Sequence, residues 1–229
     1  VSAADIEIGF PGEIIHKNIS LATCDLAEMP SALASAKLEE MLRICRESGK
    51  TGTATIVARL THARLYGAQE PFVDRTPEQI EAELEEVRSQ YRDQDSRFLF
   101  NERAHKLQLV AYNQGDEAII GASLSLVLPN HSAFFIADAP PKRFVQDRFI
   151  DSTPEDLASY PAVTLQDDCV KVMTIIGDIE PGEPSEVFET PLLICVSPEL
   201  KGRRFGIRYR LDGQNLRRPA TGRLKLEFA

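Results

Sequence analysis

The 229 residues carry 35 acidic and 26 basic side chains, a formal net charge of -9, with 43% hydrophobic and 27% charged residues. This is the composition of an ordinary soluble globular protein, long enough for one large domain or two small ones. No apolar run approaches the roughly 18 residues of a membrane helix, and the opening "VSAADIEIGF" lacks the basic and apolar regions of a signal peptide. A cytoplasmic location with no membrane partner is therefore expected. The first residue is Val1, not Met, so the sequence reads as part of a longer chain with a further domain upstream.

In chain order, the first predicted helix covers residues 31–48. Ala34, Leu38, Met41 and Cys45 lie on its stripe, and Gly49 ends it. The next stretch, "TGTATIVARLTHARLYG", is ambiguous. Its Thr and Val content favours a strand, while Ile56, Leu60 and Ala63 also fit a helix. The second clear helix follows Thr76 as N-cap, with Pro77 at the first helical position and Gln79 completing a capping box. Ile80, Leu84, Val87 and Tyr91 form its apolar stripe.

From about residue 97 the pattern turns to strands. "HKLQLVAYN" and "AIIGASLSLVLP" alternate around a glycine-containing turn, followed by "SAFFIAD", "DCVKVMTIIG", "EVFETPLLICVSP", "FGIRYRLD" and "GRLKLEF". Residues 139–162 interrupt this as a long connection, with one turn of helix expected after Thr153. About seven short strands over about 130 residues suggest an antiparallel β-sandwich. The expected class is α+β: a helical connector at residues 1–95 and an immunoglobulin-like sandwich at residues 96–229.

Chemistry-bearing motifs are few. Cys24, Cys45, Cys169 and Cys195 have no C-x-x-C spacing and no nearby His pair, which argues against zinc or redox motifs. They read as buried reduced thiols, the alternative being a Cys169–Cys195 bridge between sheets. None of His16, His62, His105 and His131 forms an i,i+4 metal pair. His62, between Arg59 and Arg64, is the most distinctive of them. Asp167 and Asp168, as strand neighbours, would point to opposite faces and form no carboxylate dyad. No phosphate loop, dinucleotide fingerprint or nucleophile elbow occurs, so no enzyme, cofactor or metal is expected.

Charge is the strongest signal. Residues 201–229 hold nine basic and two acidic side chains, a local +7, which leaves about -16 (-9 minus +7) on the remaining 200. Residues 70–95 hold nine acidic and three basic, a local -6. On the last two strands, alternation puts Phe205, Ile207, Tyr209 and Leu211, then Leu224, Leu226 and Phe228, on one face. The opposite face carries Arg204, Arg208, Arg210, Arg223 and Lys225. The favoured reading pairs this basic face with the acidic helix at residues 81–86, in the same chain or in a second copy. The alternative is a phosphate-contacting surface for nucleic acid.

At "LFNERAHKLQLVAYNQGDEAIIGASLSLVLPN", the run Asn113–Gln114–Gly115–Asp116 followed by Leu128–Pro129 resembles bacterial immunoglobulin-like modules of the CARDB type. Positive φ is expected at the Asn and Gly, and Pro129 is expected to end a strand at the sandwich edge. "IIGDIEPGEPSEVFETPLLICV" is similar to their proline–glycine segment. Residues 60–229 also resemble the C-terminal regions of bacterial proteins that begin with an AlbA/Schlafen-type DNA-binding domain. That resemblance implies a non-catalytic interaction or assembly module, with a protein partner or self-association, beside a nucleic-acid-related domain. Direct nucleic-acid binding by the basic face is the second expectation. A secreted adhesive or carbohydrate-binding module is the weakest, because the chain has no Trp for sugar stacking.

Overall fold

The computed structural model describes residues 2, 5–13, 15–48, 52–67, 69 and 75–229, with backbone alone at 48 and 52–56. The chain is α+β and divides into two units. One, Leu26–Phe98, contains helices α1 (Pro30–Ser48), α2 (Gly52–Tyr66), α3 (Pro77–Gln90) and the short α4 (Arg92–Ser96). The capping box of α3 forms as its sequence dictates. Thr76 Oγ1 accepts from the Gln79 N–H, and Gln79 Oε1 accepts from the Thr76 N–H. Ile80 and Leu84 are buried and pack with Met41, Leu42 and Ala58.

On α1 the expected stripe holds for Leu38, Met41 and Cys45, which pack in this cluster, but Ala34 is exposed, while Ser31 and Ser35 are buried. Polar contacts satisfy the two serines. Asp95 accepts from the Ser31 N–H at 2.9 Å, and Ser35 Oγ bonds the Ala32 carbonyl and Glu39. The ambiguous stretch is the helix α2, yet Leu60 points to solvent while Ala58 and Thr61 face in. The expected stop at Gly49 and the side chain of Ile56 lie outside the described residues.

The other unit takes Val1–Asp25 with Leu99–Ala229. Its strands are β1 (Ile6–Gly9), β2 (Asn18–Leu21), β3 (His105–Leu107), β4 (Val110–Asn113), β5 (Ile119–Pro129), β6 (Phe134–Ile136) and β7 (Arg143–Val145). There follow β8 (Arg148–Ile150), β9 (Ala162–Leu165), β10 (Cys169–Ile179), β11 (Pro184–Glu186), β12 (Leu192–Val196), β13 (Arg204–Asp212) and β14 (Ala220–Phe228). A short helix, α5 (Pro154–Ser159), precedes β9. It begins on the capping box of Thr153 and Asp156.

Six strands form the main sheet in the order β2-β14-β13-β5-β10-β9. Two three-stranded sheets, β1-β4-β11 and β3-β12-β6, and the hairpin β7-β8 complete the unit. Alternation on the long strands buries Leu124, Leu126, Leu128, Val170, Val172, Ile207, Leu224 and Leu226. These join Ile8, Leu107, Leu192 and Ile194 of the smaller sheets, and Leu109 between β3 and β4, in one core. Each such side chain contributes about 1.5–3 kcal/mol of transfer free energy. Phe205 is only half-buried, edge-on to Phe134 and Phe228 at ring separations of 5.4 and 5.0 Å.

Three features differ from the sequence reading. Residues 1–95 are not all helical connector: β1 pairs with β4, and β2 pairs with β14. The β2–β14 pair is parallel, so the main sheet is mixed. Some 200 residues separate the two strands, ample for the long connection that parallel pairing needs. Pro129 ends β5, but β5 lies between β13 and β10 and is not an edge strand. Neither Asn113 nor Gly115 has positive φ. Asn113 instead shapes the turn with its side chain, which accepts from the Gly115 N–H at 3.0 Å.

Tyr160, at the end of α5, makes a buried polar link. Its hydroxyl donates to the Ala137 carbonyl at 3.2 Å and accepts from the Leu193 N–H at 3.1 Å. Burial, above all, pushes its phenol up to about 12. The folded state thus holds the proton more tightly than the unfolded chain, whose phenol titrates near 10. Stability from this group is full below about pH 10 and fades between about pH 10 and 12. Tyr160→Phe is expected to cost about 1–3 kcal/mol in urea denaturation at neutral pH, because both backbone groups lose a buried partner.

Candidate anion-binding face

Period-two alternation on β13 places Arg204, Arg208, Arg210 and Asp212 on the outer face of the six-stranded sheet. The register with β14 then decides which of the basic residues meet. Arg204 stands opposite Glu227, Gly206 opposite Lys225, Arg208 opposite Arg223, and Arg210 opposite Thr221. All five sequence-predicted basic residues are exposed on this face.

Their electrostatic situations differ. Arg204 pairs with Glu227 at 3.1 Å. Arg210 grips Asp212 with two bonds of 2.8 Å, and this guanidinium holds the Asp212 carboxyl below its usual range. Arg208, Arg223 and Lys225 have no carboxylate partner among the described residues. Arg208 and Arg223 are direct cross-strand neighbours, a like-charge placement that disfavours the sheet. Together with Arg210 they line a shallow depression of about 470 Å³ that also takes in the hydroxyl-bearing Ser125 and Thr221. Gly222 lies across from Tyr209, whose ring takes the space that a Cβ would need.

The acidic helix expected to neutralise this face has arginines of its own. Within the helical unit, Glu81 pairs with Arg46, Glu83 with Arg75 at 2.8 Å, and Glu85 with Arg88 at 3.7 Å. The sequence reading missed Ser125, Thr221 and Asp212 as parts of the face. Alternation in "SLSLVLP" already gives Ser123, Ser125 and Val127 one common side, but only strand register shows that this side adjoins the arginines.

The remaining chemistry-bearing side chains have structural surroundings. His131 Nδ1 accepts from the Ala133 N–H, a ring nitrogen of His105 meets the Ala22 carbonyl at 2.7 Å, and His62 stacks on Tyr66. His16 exchanges backbone bonds with Phe10. Asp167 and Asp168 lie in the bend between β9 and β10, not on a strand. All four cysteines are free. The thiol beside Cys195 is Cys24, not Cys169, and burial followed by that neighbour pushes Cys195 up to about 12. Among the described residues no group of three or more His, Cys, Asp or Glu is placed to hold a metal. Nor is any described helix long and apolar enough to cross a membrane.

No family model matches this chain, and no curated protein matches it. Solved structures similar to part of it include AvmM, described as catalysing macrocyclization in alchivemycin A biosynthesis. It is 10% identical, with a TM-score of 0.27 over 55% of this chain and 80% of that one. A non-cellulosomal cohesin from the hyperthermophilic archaeon Archaeoglobus fulgidus is 11% identical, with a TM-score of 0.28 over 55% and 75%. ACE19, the collagen-binding subdomain of the Enterococcus faecalis surface protein ACE, is 9% identical, with a TM-score of 0.26 over 54% and 86%. At these values the likenesses carry no argument about what this chain binds or does.

Proposed function

We propose that this chain is a non-catalytic interaction module, an immunoglobulin-like sandwich joined to a helical unit, that binds an acidic partner through the outer face of β13 and β14. One observation carries the reading: Arg208 and Arg223 face each other without a carboxylate between them. Such a pair disfavours the folded sheet when empty and is relieved when an anion bridges it. Guanidinium forks bind carboxylates and phosphates bidentately, and the Ser125 and Thr221 hydroxyls add donors. Guanidiniums and hydroxyls, unlike imidazoles or shifted carboxylates, do not exchange protons near neutral pH, so the set suits binding more than catalysis. With a net charge of -9, the chain as a whole repels polyanions at long range. Recognition then rests on this local patch. In the full protein, the resemblance to AlbA/Schlafen-type chains makes a DNA-binding domain upstream the expected neighbour, in a bacterial cytoplasm.

Nucleic acid is the second reading, carried by the same row of cations. Fluorescence anisotropy with a labelled polyglutamate peptide and with a single-stranded oligonucleotide, across salt concentrations, separates the two. Polyglutamate is expected to bind with an affinity that falls as salt rises, and to lose roughly tenfold, about 1.4 kcal/mol, in Arg223→Glu. Tighter oligonucleotide binding with a steep salt slope, abolished by Arg208→Glu, would move the assignment to nucleic acid. No binding of either probe would end both readings.

A further inference from the structure

The basic residues occupy only half of the outer face, and the register shows what fills the other half. Arg208, Val127, Lys171 and Thr164 stand in one row across β13, β5, β10 and β9. Arg210, Ser125, Met173 and Ala162 form the next row, and Asp212, Ser123 and Ile175 a third. The β5 column is therefore mostly small and polar, with arginines on one side and Lys171, Met173 and Ile175 on the other. Adjacent strands lie about 4.8 Å apart, so the β13 and β10 columns flank β5 with their backbones roughly 10 Å apart.

Ile175 is 84% exposed and Met173 58%. Two large apolar side chains on consecutive outward positions of a central-sheet strand are a cost in water and a contact surface for a partner. They line a second depression of about 380 Å³ with Ser123 and Tyr160, and Ser123 is the next outward residue on β5 from Ser125 of the basic depression. The β10 strand is bulged just beyond Ile175, at Gly177, whose φ of +91° suits glycine. The carboxylates nearby include Glu189, beside Ile175, Asp178 just past the bulge, which accepts from the Gly121 N–H, and Asp212, already held by Arg210. Free cations thus gather at the Arg208–Lys171 end, and apolar surface at the Ile175 end.

Resting on the proposed binding role of this face, the geometry points to one kind of occupant: an acidic, amphipathic segment of a protein partner. It lies along β5 with carboxylates toward Arg208, Arg223 and Lys171 and apolar side chains over Met173 and Ile175. A helix, about 10–12 Å across with its side chains, is wide enough to lie over β5 and touch both flanking columns. A partner of carboxylates alone leaves Met173 and Ile175 in water. A nucleic acid satisfies the arginines but leaves Met173 and Ile175 in water, and Tyr209, the aromatic lining the basic depression, is half-buried against the core.

The test is selection of a random-peptide display library on the full chain, followed by affinity measurements with the best synthetic peptide. Peptides combining Asp or Glu with Leu, Ile or Phe are expected. Their affinity should drop roughly tenfold in Arg208→Glu, and roughly tenfold again in the double variant Met173→Ser, Ile175→Ser, which removes only surface side chains. The melting curve of the Met173→Ser, Ile175→Ser variant should overlay that of the parent, and that of Arg208→Glu should lie at or slightly above it. Acidic peptides without apolar residues, indifferent to the Met173 and Ile175 changes, would overturn this inference while leaving the anion-binding role standing. Peptides indifferent to Arg208→Glu, or no enrichment at all, would overturn both. Binding to vesicles containing phosphatidylserine that depends on Met173 and Ile175, with no acidic peptide selected, would replace the protein segment by a lipid surface.

Discussion

Leu126→Ala and Ile207→Ala are each expected to destabilise the β unit by about 2–5 kcal/mol, measured as a lower midpoint at unchanged slope in chemical denaturation. Leu126 lies on β5 between Tyr209 of β13 and Val172 of β10, and none of its surface reaches water. Ile207 is equally buried and stands opposite Leu224. Both sites lie within the six-stranded sheet, so the cost combines lost transfer free energy with a residual cavity. The same strands carry the basic face, so the measurement also checks its register. If both substitutions proved neutral, β5 and β13 would be slipped by one residue, and the arginines would point inward.

Asn113→Ala is expected to cost about 2–4 kcal/mol, more than a typical hydrogen-bond deletion, because it strands three backbone groups at once. Asn113 is wholly buried. Its Nδ2 donates to the carbonyls of Glu117 at 2.9 Å and Ile179 at 3.2 Å, and its Oδ1 accepts from the Gly115 N–H. One side chain thereby ties the β4–β5 turn to the end of β10. Asn113→Asp should be worse than Ala at neutral pH, since it turns a carboxylate toward two carbonyl oxygens. Equal stability of the parent and both variants would remove Asn113 from this role.

What could be read from sequence was what is local or strongly periodic. The capping boxes at Thr76 and Thr153 are satisfied within four residues, so no tertiary contact is needed to find them. The strands β5, β10, β13 and β14, nine to eleven residues long, declare their buried faces by alternation. By contrast β7, β8 and β11 are three residues each, too short for any period to show. The four-residue strands β1 and β2 find their partners about a hundred and two hundred residues away. Residues 52–66 were ambiguous because Thr and Val count against a helix whose inward positions include a threonine, Thr61.

The candidate face divides in the same way. Alternation alone assigned Arg204, Arg208, Arg210, Arg223 and Lys225 to one side. Which of them would find a carboxylate depended on the β13–β14 register, which gives Arg204 to Glu227 and leaves Arg208 against Arg223. The apolar half was hidden for another reason. Met173 and Ile175 belong to a strand whose composition suits either face, and only the order of strands puts them beside the arginines.

On this reading Arg208 and Arg223 are set together for a ligand and not for the fold, a claim that Arg208→Glu tests most directly when melting and binding are measured on one preparation. A glutamate opposite Arg223 converts a repulsive cross-strand pair into an attractive one, worth about 0.2–1 kcal/mol. The melting temperature should therefore hold or rise by about 1–3 °C. Binding of the acidic peptide should fall by roughly tenfold or more. A melting temperature lowered by several degrees, with peptide binding unchanged, would contradict the claim and make the basic pair part of the fold.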